Sequence, residues 1–247
     1  MLPLFFLRLA FGMLAALLLL SPTQINPRFY RTHFLTALGL GAGALVLQGD
    51  APMPARAALA AGLLLSFFGS ASWSIEGAPG GRTLIVLAVL AFGATLWFAL
   101  GEQRLSEPLW LTADGLTSSA LLGVALTAML MGHSYLIAPA MSLVPLRRLL
   151  LGLFVALGLR LSFAAAGLWY WTGVGASTTL KEVTLLWLPL RWRLGLLLPL
   201  LLSVMAWQTA RLRNTQSATG ILYIVVVFCF LGELTAQLLF NVTHSFL

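Results

Sequence analysis

Apolar residues in this chain fall in long unbroken blocks, with neither the period-2 alternation of a half-buried strand nor the narrow stripe of a surface helix. A transmembrane helix needs about 20 mainly apolar residues. Eight blocks meet that need: 3–20, 32–48, 54–74, 82–100, 109–133, 146–171, 193–210 and 219–240. The breaks carry turn chemistry, as in "SPTQINPR", "GDAPMPAR", "EGAPGGR" and "RLRNTQSATG". Strands of a transmembrane barrel alternate polar and apolar residues, and these blocks do not, so the spans are helices. The pattern predicts an all-α fold, a polytopic transmembrane helix bundle of about eight spans, with residues 1–247 as a single integral membrane domain.

Two blocks need interpretation. Residues 1–20 have the length of a secretion signal, but Arg8 lies inside the run and "SPTQINP" offers no small-x-small cleavage site, so it is expected to remain as the first span. Between 172 and 192, "GVGASTTLKEV" leads into "LLWLPLRW", whose second half is expected in the interface, with Trp187 and Trp192 at headgroup depth. Gly39 and Gly43, four apart, suit close helix contact. No internal repeat stands out.

Of 247 residues, 60% are hydrophobic and 9% charged, against about 25% charged in a soluble domain. Mean hydropathy is +0.97. Lipid is therefore the main partner. The net charge is +7, and 13 of the 14 basic residues are Arg, placed singly or in pairs between apolar blocks as headgroup anchors. A nucleic-acid surface clusters its cations on one polar face, so nucleic acid is excluded as a partner. The single cysteine, Cys229, precludes an intrachain disulfide and any CxxC site.

Let side A hold the N-terminus and side B be the opposite face. Side B carries Arg28, Arg31, Arg82, Arg147, Arg148, Arg211 and Arg213; side A carries Arg56, Arg104, Lys181, Arg191 and Arg193. The positive-inside rule then leans towards side B in the cytoplasm of a multi-pass cell (inner) membrane protein.

Charges at bilayer depth are costly and mark function by default. Arg160 and Glu233 each lie roughly 14 residues into their spans from side B, which at about 1.5 Å per residue is the same depth. They are expected to form a buried charge pair, either a structural clamp or the lining of a proton, ion or quinone path. Cys229 and Gln237 flank Glu233 one turn away on each side, a short polar stripe. Asp114 is shallower, one to two turns into the fifth span from side A; it is read as solvated, and as a candidate for proton uptake.

His133 ends the fifth span at side B and His33 begins the second there, while His244 falls at side A. Two imidazoles on different helices are what haem b needs for axial ligation; the alternative is that each marks a helix end at the interface. Gly115 and Ser119 share the face of His133 and are expected to leave room for a flat ring. Tyr135 follows His133, and Arg147 and Arg148 emerge nearby. In "RLRNTQSATGILY", Ser217 or Thr219 is expected to N-cap the last span. Gln216 in that loop, with the arginines, is a candidate grip for haem propionates, a quinone headgroup or lipid phosphate. No set of His, Cys and acidic residues has the spacing of a metal site beyond a haem iron. No hydrolase or phosphate-loop motif occurs, so no catalytic residue is assigned.

The segments "GHSYLIAPAMSLVPLRRL" and "MAWQTARLRNTQSATGILYIVVVFCFLGEL" resemble an uncharacterised group of bacterial eight-span membrane proteins sharing G-H-x-Y-L and T-Q-S-A-T-G-x-L-Y segments. The likeness covers mainly residues 109 to 240 and implies no activity. In span count and size the chain also resembles the quinol-interacting membrane subunits of the NrfD type, a likeness of architecture alone.

The expected function is an integral membrane subunit of a respiratory or other electron-transfer complex, working with other membrane or peripheral subunits. It would bind haem b or quinone near side B through His33 and His133. Such a chain would be a non-catalytic part of an oxidoreductase, the chemistry belonging to cofactor and partners. The alternatives are a secondary transporter or ion-conducting protein coupled through Arg160–Glu233, and a scaffold subunit.

Overall fold

The computed structural model describes residues 1–49, 51–75, 77, 79–99, 108–138, 141–173 and 186–243. Among these residues it contains eight long helices and no strand. They are α1 (Leu2–Ala16, extended by a 3-10 turn, Leu17–Leu19), α2 (Pro27–Leu47), α3 (Met53–Ser72), α4 (Gly81–Ala99), α5 (Pro108–Ile137), α6 (Val144–Gly173), α7 (Leu198–Arg211) and α8 (Thr215–Thr243). Seven helical segments are long and apolar enough to cross a membrane. The exception is α2, whose first turns carry Arg28, Arg31, Thr32 and His33 and whose centre carries three glycines.

Local chemistry sets the helix starts. Pro27 sits in the first turn of α2, where its missing N–H costs nothing, and the Asn26 side chain accepts from the Arg28 N–H at 2.9 Å. At α8 the cap is Asn214, which accepts from Ser217 N at 3.1 Å. The expectation of a Ser217 or Thr219 cap is corrected here: the Thr219 hydroxyl instead donates back to the Thr215 carbonyl at 2.7 Å. Arg213, at φ 58, makes the left-handed turn that lets Asn214 N–H reach the Thr209 carbonyl.

The seventh span also departs from expectation. Among the described residues helix runs from Leu186, and Leu190–Leu197 is a π-helix that leads straight into α7, so one candidate span covers Leu186–Arg211. The stretch Leu186–Trp192, expected in the interface, is therefore part of the span. Pro199 has no N–H to give, and the Leu198 N–H reaches back five residues to the Arg193 carbonyl.

The helices pack as two rings. In the first, α1 packs on α2, α2 on α3, α3 on α4, and α4 back on α1. In the second, α5, α6, α7 and α8 follow the same order, and α8 closes on α5. The two rings share one pattern of neighbours, a symmetry that the residue pattern had not disclosed. Packing of α1 on α5 joins them. Gly12 of α1 makes that approach possible: a Cβ there would overlap the Ser119 carbonyl, and one on Gly123 would overlap the Gly12 backbone. Ser119 is thus occupied by helix contact, which corrects its reading as room for a ring. Gly39 has open space around it and Gly43 faces only Phe6, so this expected contact pair is not the one that draws helices together.

Candidate functional site

A connected network of five charged side chains lies inside the bundle towards side A. Arg160 of α6 is its hub. Its Nε donates to Glu233 Oε1 and its Nη2 to Oε2, both at 2.8 Å, and its Nη1 donates to Asp114 Oδ1 at 2.7 Å and to the Thr117 hydroxyl at 3.2 Å. Arg8 of α1 donates through Nη2 to the other Asp114 oxygen at 2.5 Å. From the π-helix, Arg191 Nη1 donates to Glu233 Oε1 at 3.1 Å and to the Gly232 carbonyl at 3.0 Å. Each carboxylate is thus shared by two guanidinium groups. The planar fork of Arg matches two carboxylate oxygens, and that match is how such charges stay ionised away from water.

The expected Arg160–Glu233 pair is present, with additional partners. Asp114, expected as a solvated residue at a helix start, is only 14% exposed and ties α1 to α6 through ion pairs with Arg8 and Arg160. Arg8 and Arg191 were missed as site residues. A lone Arg inside the first apolar run was the available signal for Arg8. Arg191 had been assigned to the side-A flank. The signal for its burial was Gly195, one turn on: a Cβ there would lie 2.5 Å from the Gly232 Cα, so the π-helix and α8 touch backbone to backbone. That approach carries Arg191 to Glu233.

Beside the network is a cavity of about 90 Å³ whose polar lining is Arg8, Asp114, Arg160, Arg191, Gln237 and Asn241. Gln237 is 6% exposed, and among the described residues neither its carboxamide oxygen nor its nitrogen has a hydrogen-bond partner. Arg8 Nε is likewise buried and unpartnered. Unmet groups of this kind are rare in native interiors.

A second cavity, of about 290 Å³, lies at side B and brings His33 and His133 together. Arg28, Asn26 and Ser134 are at its polar margin, and Phe29, Leu130 and Ile137 are among its apolar walls. His33 is fully buried. Its Nδ1 lies 2.8 Å from the Phe29 carbonyl, one turn back, so Nδ1 carries the proton and Nε2 presents a lone pair. Among the described residues no group partners that Nε2. His133 is exposed at the bundle surface and pairs through Nδ1 with the Tyr223 hydroxyl at 3.4 Å.

The other proposed contacts lie outside this cavity. The Tyr135 hydroxyl donates to the Ser142 carbonyl at 2.5 Å, tying the end of α5 to the turn before α6. Arg147, Arg148 and Gln216 are exposed and do not line it. Arg147 and Arg148 sit near the start of α6 and Gln216 in the first turn of α8, at side B. Gly115 has open space around it. His244 lies outside the described residues. Among the described residues no three His, Cys or acidic side chains are grouped to hold a metal ion.

No family model, no curated protein and no solved structure matches the chain.

Proposed function

We propose that this integral membrane protein is a subunit of an electron-transfer complex of the cell (inner) membrane, and that its side-B cavity takes the headgroup of a quinol. The observation that carries this reading is the imidazole of His33. Its Nδ1–H is held by the Phe29 carbonyl, leaving a buried, unpartnered Nε2 at a cavity of about 290 Å³. A fixed tautomer of this kind accepts a hydrogen bond from an aromatic hydroxyl and orients the ring. Small-molecule pockets run from about 300 to 1,000 Å³, and this one lies at the lower end. A single ring suits it better than four linked pyrroles, so the quinol is preferred to haem b. The apolar walls suit the ring face, and Arg28 and His133 supply polar contacts at the margin. Electrons leaving the quinol would pass to redox centres on partner subunits, which carry the chemistry.

The test is binding of a short-tailed quinol analogue to the purified protein in lipid nanodiscs. Saturable binding is expected, weakened roughly threefold to tenfold by His33→Leu, the loss of one neutral hydrogen bond. Binding that is absent, or indifferent to His33→Leu, would overturn the reading. An absorption spectrum taken oxidised and reduced covers the haem alternative: b-type bands lost in His33→Leu would put haem, not quinol, at these imidazoles.

A further inference from the structure

We infer that the side-A cavity beside the charge network is a binding site for the carboxylate of a small organic acid. It is a separate site from the quinol cavity, at the opposite face, and stands without it.

The donors come first. Arg8 uses Nη2 on Asp114, but its Nε–H is buried with no acceptor among the described residues. Gln237 is more than nine-tenths buried, lines the same cavity and has no partner on its amide nitrogen. An acceptor-only group with two oxygens answers both donors at once, one oxygen for the Arg8 Nε–H and the other for the Gln237 N–H. The Gln237 carbonyl then takes a hydroxyl or water.

Size and surroundings narrow the class. The cavity of about 90 Å³ holds roughly three waters, or a few heavy atoms of an organic acid. Water alone would satisfy Gln237, and the Asp114 carboxylate also lines the cavity. Three guanidinium groups against two carboxylates nevertheless leave the network one positive charge in excess, which in a low-dielectric setting favours an anion over a neutral guest. Apolar side chains complete the wall, among them Leu4, Leu111, Phe163 and Ala236, and they fit a short hydrocarbon tail better than a phosphate. Access is from side A, because Met1 at the start of α1 and Asn241 near the end of α8 also line the cavity.

The experiment titrates sodium propionate into the full chain in nanodiscs at constant ionic strength, with sodium chloride as the matched control. Heat of binding and the shift in unfolding temperature are both read. Wild-type protein is expected to bind propionate saturably and to gain thermal stability that chloride does not give. Gln237→Glu places a carboxylate of similar size in the cavity, so it should fold and lose propionate binding by at least about tenfold. Gln237→Leu, which removes the donor without adding charge, should lose it to a similar extent, and serves if the charged variant does not purify. His33→Leu should bind propionate as wild type does, separating this result from the fate of the quinol reading. Propionate acting no differently from chloride, or binding unchanged in both Gln237 variants, would overturn the assignment.

Discussion

Arg160 of α6 holds both carboxylate oxygens of Glu233 of α8, each at 2.8 Å, and neither side chain is more than 1% exposed. A pair so placed is costly to form and more costly to halve. Removing one partner of a buried pair typically costs about 3–5 kcal/mol, because the other charge is left without compensation. Glu233→Gln is therefore expected to reduce the yield and unfolding temperature of the purified protein sharply. Arg191 shares Glu233, so Arg160→Met with Glu233→Gln should recover only part of the loss. Full additivity of the two single changes would show that the residues are not energetic partners.

Asp114 belongs to the same network but sits nearer water, with 14% of its side chain exposed. Asp114→Asn keeps its volume and removes the charge that Arg8 and Arg160 share. The expected loss of stability is smaller than for Glu233→Gln, since water reaches this end. A double-mutant cycle of Arg8→Met with Asp114→Asn should show coupling of about 0.5–3 kcal/mol. A coupling near zero would mean that this contact between α1 and α5 contributes nothing to joining the two rings.

The junction of the rings rests on Gly12. Gly12→Ala would drive a methyl group into the Ser119 carbonyl, so α1 and α5 must separate. Overpacking of this kind costs about 1–3 kcal/mol. Gly39→Ala, where nothing lies within 4 Å, is the matched control and should be neutral or mildly stabilising. Thermal unfolding in one detergent compares the two, and equal effects would refute the backbone contact.

Compartment reporters inserted at Gly77 and at Arg213 should report the same side, and one at Gly49 the other. The burial of Arg191 removes it from the side-A tally, leaving Arg56, Arg104, Lys181 and Arg193 against seven on side B. Gly77 and Arg213 are therefore expected in the cytoplasm. Agreement between Gly77 and Gly49 would mean that α3 does not cross.

Much of this protein was legible without coordinates. Eight apolar blocks of bilayer length bounded by Pro, Gly and Asn determined eight helices, because backbone groups in lipid must be satisfied within a segment. Lone charges inside two of those blocks, Arg160 and Glu233, marked residues that needed partners, whereas Arg8 carried the same signal and was not paired. The equal depth of Arg160 and Glu233 was enough to pair them, since few other arrangements keep both ionised. His33 and His133 were placed at one face by counting spans alone.

Which helix stands next to which cannot be counted along one chain; it follows from packing between segments distant in sequence. Arg8 and Asp114 meet only because Gly12 and Gly123 let α1 and α5 touch, a closeness set by the absence of side chains on two distant segments. Arg191 passes from flank to core because a π-helix ahead of Pro199 and the Gly195–Gly232 contact turn it inward. Hydropathy reads each segment against lipid and is blind to these approaches. In a membrane, helix neighbours are chosen by small residues and buried polar groups acting between segments, so the site was assembled by packing.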